Sequence, residues 1–186
     1  ILMQPIHSSI RLSSKVFTFM VLIALMAGAF AKLYSQGLAA YSDFRDRFYV
    51  FDNGRHQQLE HLPVRSFQVT KWCVAYKKEN GTLMVYHDHK KRKLSDVVED
   101  FQATDGLVVY AYNNTLFVYD RGGKRTLAMD APYYKVDENM VAYYDRVDKM
   151  FKAYYKGEIF DVENALSVSP VSDFKVGDNI LAYRGP

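Results

Sequence analysis

Leu107-Val108-Val109-Tyr110 is one of five copies of a single pattern, a short apolar run closed by a tyrosine. The others are Leu38-Ala39-Ala40-Tyr41, Cys73-Val74-Ala75-Tyr76, Met140-Val141-Ala142-Tyr143 and Ile180-Leu181-Ala182-Tyr183. The tyrosines stand 35, 34, 33 and 40 residues apart, a period that marks a repeat architecture. Nine residues before each of the last four lies an aromatic: Phe67, Phe101, Tyr134 or Phe174. After each of the first four tyrosines comes a polar turn and a second apolar run, as in Tyr49-Val50-Phe51, Met84-Val85-Tyr86, Phe117-Val118-Tyr119 and Lys152-Ala153-Tyr154. Eight residues further on stand Leu59, Leu94, Leu127 and Val162.

Each unit thus holds four short segments rich in Val, Tyr and Phe, with no sustained 3.6-residue stripe. Asn53-Gly54, Asn80-Gly81, Asn113-Asn114, Gly122-Gly123 and Lys156-Gly157 separate them, and such pairs supply the positive φ of tight hairpins. Segments apolar on both faces must be covered on both sides. A four-stranded sheet packed between two like sheets meets that need, as in a β-propeller blade. The expected fold is all-β, with repeated four-stranded antiparallel units of about 35 residues forming a partial β-propeller. An open antiparallel β-solenoid is the alternative.

The repeat region runs over residues 38–186 in about four units. It is expected to be truncated at the C-terminus, because Tyr183-Arg184-Gly185-Pro186 stops inside a turn. It opens mid-unit, a half-unit that would complete the last blade of a closed ring. Residues 1–31 read as a signal-peptide helix. Arg11 and Lys15 precede the uncharged core 16–31, and Ala27-Gly28-Ala29 and Ala29-Phe30-Ala31 offer small residues for cleavage. An uncleaved anchor is the alternative, although 16 residues fall short of the roughly 20 a span needs. The expected location is periplasmic, cell-surface or secreted, with membrane contact only through this leader.

Without the leader, 24 − 2 = 22 Lys and Arg face 21 acidic residues, so the sequence pI of 8.8 is no argument for nucleic acid. Lys90-Lys91-Arg92-Lys93 is the one basic run and reads as solvated loop. The lone Cys73 has no internal disulfide partner and reads as a buried small hydrophobe.

No catalytic signature or nucleotide-binding glycine loop is present in the sequence, so no catalytic or cofactor-binding residue and no cofactor is assigned. Asp52 and Asp120 hold the same place after an apolar strand, where aspartate stabilises a turn. Four histidines, His56, His61, His87 and His89, crowd one stretch. His56 and the His87/His89 pair lie in equivalent hairpins of successive units. Read as extended, His87-Asp88-His89 sets two imidazoles on one side of a strand, a geometry open to Zn²⁺ or Cu²⁺. His56, His87 and His89 are therefore the candidate metal ligands, set against the commoner reading of exposed loop histidines.

The run Phe174-Lys175-Val176-Gly177-Asp178-Asn179-Ile180-Leu181-Ala182-Tyr183, with hairpins such as Leu116-Phe117-Val118-Tyr119-Asp120-Arg121-Gly122-Gly123-Lys124, resembles the blades of secreted bacterial TolB-like and YVTN-type β-propellers. The resemblance covers residues 38 to 186, although the usual S-P-D-G blade turn is missing. It implies protein contacts in the periplasm or at the cell surface. The expected function is an exported, non-enzymatic propeller that binds a protein or glycan partner in the cell envelope. The extra stretch Asn164 to Val171 is a candidate binding loop. A propeller-type hydrolase or lyase with its site mostly outside residues 1–186 is the alternative.

Overall fold

The computed structural model describes residues 37–121, 123–164 and 174–184. The leader reading (1–31) and the stretch from 165 to 171 lie outside the described residues. Every described element is a strand, and the strands form five antiparallel sheets in chain order.

Sheet 1 has β1 (Leu38–Ser42), β2 (Phe48–Asp52) and β3 (Arg55–Glu60), which correspond to the second, third and fourth strands of a full sheet because β1 carries the tyrosine. Sheet 2 has β4 (Val64–Val69), β5 (Cys73–Lys78), β6 (Leu83–His87) and β7 (Lys90–Ser95). Sheet 3 has β8 (Asp100–Ala103), β9 (Val108–Tyr112), β10 (Thr115–Asp120) and β11 (Gly123–Ala128). Sheet 4 has β12 (Tyr134–Asp137), β13 (Met140–Asp145), β14 (Met150–Tyr155) and β15 (Glu158–Asn164). Sheet 5 pairs β16 (Phe174–Gly177) with β17 (Ile180–Tyr183). Each sheet is a simple meander, as the 35-residue unit predicts.

The tyrosine-ended run is the second strand of a full sheet, and its alternate residues enter different cores. In β5, Val74 and Tyr76 pack with Phe48, Val50 and Leu59 of sheet 1. Cys73 and Ala75 turn the other way, toward Phe101, Val108 and Tyr110 of sheet 3. In β9, Leu107 just before the strand and Val109 within it meet Val141 and Tyr143 of sheet 4. Ala142 then meets Phe174 of sheet 5. Small side chains thus face the following sheet and tyrosines the preceding one.

Tyr76, Tyr110 and Tyr143 are fully buried. Their hydroxyls reach back 16 residues, to Glu60 Oε1 at 2.8 Å, the Leu94 carbonyl at 3.2 Å and the Leu127 carbonyl at 3.3 Å. Burying a Leu or Val side chain contributes about 1.5–3 kcal/mol, and a single hydrogen bond about 1. The apolar sandwich therefore dominates, and the hydroxyl fixes the register between sheets.

Two further details recur. The pairing of third and fourth strands shifts by one residue at Phe48/Tyr49, Leu83/Met84, Leu116/Phe117 and Phe151/Lys152. A bulge at this place strengthens twist in each sheet. Thr82 and Thr115 hydroxyls both donate to carbonyls 14 residues ahead, Asp96 and Met129, clipping the linker between sheets.

Turn chemistry follows the sequence closely. Asn53-Gly54, Asn113-Asn114 and Lys156-Gly157 have positive φ at both positions, as two-residue type I′ hairpins require. Two expectations need correction. Lys90 to Lys93 is part of strand β7 rather than a loop, with Lys91 Nζ 2.7 Å from the Leu59 carbonyl of sheet 1. His87-Asp88-His89 is not extended. Asp88 and His89 take φ of 53° and 57°, so they are the hairpin itself and the two imidazoles do not share a strand face.

Gly106 marks a close approach between sheets. A Cβ there would sit 1.8 Å from Asn139 Oδ1 and 3.0 Å from the Glu138 carbonyl oxygen. Gly106→Ala should lower stability by roughly 1–3 kcal/mol. In thermal melts the double variant with Asn139→Ala should recover part of that loss, because the backbone contact remains. An unchanged midpoint in the single variant would show that sheets 3 and 4 are not this tightly packed.

Candidate functional site

In an antiparallel meander the first–second and third–fourth turns lie at one end of each sheet, and the second–third turns and linkers at the other. The two ends have different chemistry.

At the turn end, neighbouring sheets are bonded to one another. Trp72 Nε1 donates to the Thr104 carbonyl at 2.8 Å, and Lys71 pairs with Asp105 at 2.5 Å. Thr104 Oγ1 donates to the Glu138 carbonyl. The Asp178 backbone N–H donates to Asp137 Oδ2 at 2.8 Å.

A second tie runs through the third strands. Tyr86 of sheet 2 donates to Asp52 Oδ2 of sheet 1 at 3.0 Å, and Tyr154 of sheet 4 donates to Asp120 Oδ2 of sheet 3. The pKa of each phenol is raised to about 12, by burial first and then by its carboxylate partner.

Between sheets 2 and 3 this tie is absent, because His87 holds the place of Asp52 and Asp120. Tyr119 stacks instead on Trp72, with centroids 5.9 Å apart and planes 19° apart. The His87 ring meets Trp72 edge-on at 4.9 Å. The Arg121 guanidinium lies 5.9 Å from the Trp72 ring centre. His87 Nδ1 is buried and has no hydrogen-bond partner. Burial lowers the His87 pKa; Asp88 opposes that, while Arg92 and Arg121 add to it.

The three candidate metal ligands are placed apart in role. His56 Nδ1 lies 3.1 Å from the Tyr41 hydroxyl, and its ring packs on Phe51. His89 Nδ1 is 2.7 Å from Asp52 Oδ2. His87 is committed to Trp72. Among the described residues, no three His, Cys, Asp or Glu side chains gather where a metal ion could be held. Cys73 is buried, and its thiol is pushed up to about 11 by that burial, which keeps it out of thiolate chemistry.

Trp72, Tyr119 and Arg121 were not legible as a group from the sequence, because aromatic residues at repeat positions read as core. The available signal was the repeat register. Asp52, His87, Asp120 and Tyr155 occupy one position, and His87 and Tyr155 depart from aspartate there.

The linker end is apolar and open. Phe44, Leu62, Met129 and Val147 are 86, 73, 70 and 65 % exposed, and Val97, Tyr112 and Tyr133 are exposed as well. Every one lies in a second–third turn, at its margin, or in a linker. A cleft of about 290 Å³ opens there beside Leu62, Pro63 and Asn80. Glu60, on its wall, accepts from Tyr76 at 2.8 Å and Lys91 at 3.1 Å and pairs with Lys78 at 2.9 Å. Burial would raise its pKa, but these three partners prevail and hold it down. That carboxylate is a clamp between sheets 1 and 2.

Residues 32–186 match the 10-bladed beta propeller domain family, and the chain belongs to it. The sheets described above are its blades, which settles the choice between propeller and solenoid. Among solved structures, the chain is similar to the computationally designed Ika4 protein, with 16 % identity and a TM-score of 0.39 over 66 % of this chain and 87 % of that one. It is also similar to Hsv2 of Kluyveromyces marxianus, with 12 % identity and a TM-score of 0.42 over 82 % of this chain and 53 % of that one. A chain in the S. cerevisiae structure of Dbp5 bound to Nup159 and Gle1 shows 14 % identity and a TM-score of 0.42, over 75 % of this chain and 45 % of that one. The chain thus spans about half the length of these last two. No curated protein matches it.

A histidine whose pKa is lowered on folding binds its proton more tightly in the unfolded chain. Its contribution to stability is therefore full above the unfolded pKa near 6.5 and is lost as pH falls through that value. His87 should titrate below 6.5 by NMR, and stability should decline as pH falls below about 6.5. His87→Gln should flatten part of that decline. A His87 midpoint above 6.5 would contradict the burial described here.

Proposed function

We propose that this protein is an exported propeller scaffold that binds a protein partner through its linker end and works outside the cytoplasm, in the cell envelope or at the cell surface. The exposed apolar residues of that end carry the reading: Phe44, Leu62, Met129 and Val147 come from four different turns or linkers and share one end. Aromatic and Met side chains are enriched in the cores of protein interfaces, whereas a glycan would call for more polar groups than these. β-Propellers commonly serve as interaction scaffolds. The blade motif resembles that of the secreted TolB-like and YVTN-type proteins, and the basic-then-apolar leader with its Ala-x-Ala steps supports export. The chain's one cysteine is compatible with an oxidising compartment, since it leaves no pair to misconnect.

The partner reading is tested by affinity capture from the source cells' envelope fraction with wild-type protein and the triple variant Leu62→Glu, Met129→Glu, Val147→Glu. These exposed sites tolerate charge, so the melting temperature should hold while partner recovery falls at least about ten-fold, as for loss of a central apolar contact. An identical partner set for both proteins would overturn the assignment of the linker end.

Export is tested separately. Residues 1–31 fused to an alkaline phosphatase that is active only outside the cytoplasm should give active enzyme. An inactive, cell-retained fusion would place the protein in the cytoplasm instead.

A further inference from the structure

The junction between sheets 2 and 3 departs from its neighbours in a chemically specific way. On either side of it, a third-strand tyrosine donates to a carboxylate at the end of the preceding third strand, Tyr86 to Asp52 and Tyr154 to Asp120. Here that carboxylate is replaced by His87, and Tyr119 has no acid from the preceding third strand; it stacks on Trp72 instead. The cations have not been withdrawn in compensation. Arg121 lies over Trp72, and Arg92 and Arg121 both bear electrostatically on His87. Of the nearby acids, Asp88 sits in the hairpin turn itself, and Asp52 is taken by Tyr86, His89 and Asn53. His87 Nδ1 is enclosed without a partner, although its ring is fixed edge-on to Trp72.

A buried polar atom without a partner costs about 1–3 kcal/mol, so this junction gives up stability that the carboxylate ties provide on either side. The ligand class follows from the repeat. The group that occupies this place in the junctions on both sides is a carboxylate, and guanidinium groups recognise carboxylates through paired N–H donors.

We propose that the sheet 2–sheet 3 junction is a subsite for a carboxylate supplied from outside, the Asp or Glu side chain of an acidic protein segment, held by Arg121 and Arg92 beside Tyr119. The subsite lies at the turn end and is independent of the apolar linker end.

Trp72 is the protein's one tryptophan, so its fluorescence reports on this junction alone. The whole protein is titrated with an acetylated, amidated Glu-Asp-Glu-Asp peptide, with its Gln-Asn-Gln-Asn counterpart, and with inorganic phosphate at matched ionic strength. The acidic peptide should give a saturable change, and the neutral peptide and phosphate should bind at least about ten-fold more weakly. Arg121→Gln should weaken the acidic peptide about ten-fold, the loss expected for one charge-assisted pair.

His87→Asp returns the internal carboxylate. It should abolish the response while keeping or raising the melting temperature, which separates loss of the subsite from loss of the fold. Equal responses to acidic and neutral peptides, a phosphate response as strong as the peptide's, or unaltered binding in a folded His87→Asp variant would each overturn the proposal. The linker-end triple glutamate variant should leave the titration unchanged, so failure of either reading is seen independently of the other.

Discussion

Burial of one strand from both sides is the constraint on which the rest of the structure depends. The second strand of each full sheet has no solvent face: its odd residues pack against one neighbour and its even residues against the other. Such a strand is stable only inside a stack, and this is why the unit must recur. The division of sizes along it sets the geometry of the stack. Alanine and valine allow the following sheet to approach, while tyrosine fills the deeper gap behind and ends on a hydrogen bond. Tyr41 of sheet 1, with no described sheet before it, shows the converse, since it is more than a third exposed.

The two ends of the stack then diverge by necessity. Turns at one end come close enough to bond across sheets, and the side-chain oxygens of Thr104, Asp105 and Asp137 do so with backbone groups of the neighbouring sheet. Linkers at the other end must span from one sheet to the next. Two of them bury a plug, Val98 or Ala131, and leave most of the other side chains exposed. An apolar rim is thus compatible with a rigid array, because its residues contribute little to holding the sheets together and are open to selection for contact with a partner.

Variation at one repeat position has consequences that no single unit shows. Asp52 and Asp120 are turn residues by local chemistry, but each also receives a tyrosine from the next sheet. Replacing that aspartate by His87 removes a turn-stabilising oxygen and an inter-sheet acceptor at once. The same change leaves Trp72, Tyr119 and two arginines around a partnerless ring nitrogen. Local stability is spent there without an evident structural return, the pattern expected where function rather than folding selects the residue.

The sequence by itself determined the all-β character, the unit length, the strand boundaries near each tyrosine and the positive-φ turns, because these rest on alternation and on glycine and asparagine chemistry within a few residues. It did not determine the path of Lys90 to Lys93, which reads as loop until the strand β6 is seen to need a fourth partner. It placed the His87/His89 pair in a hairpin but did not show that Asp88-His89 is the turn itself, where neither residue is the glycine or asparagine that marks such a turn elsewhere in the chain. The candidate sites belong wholly to the tertiary structure. Trp72 and His87 meet through the pairing of β5 with β6, Tyr119 joins them only because sheet 2 stacks on sheet 3, and the exposed rim arises only because antiparallel strands send the described linkers to one end.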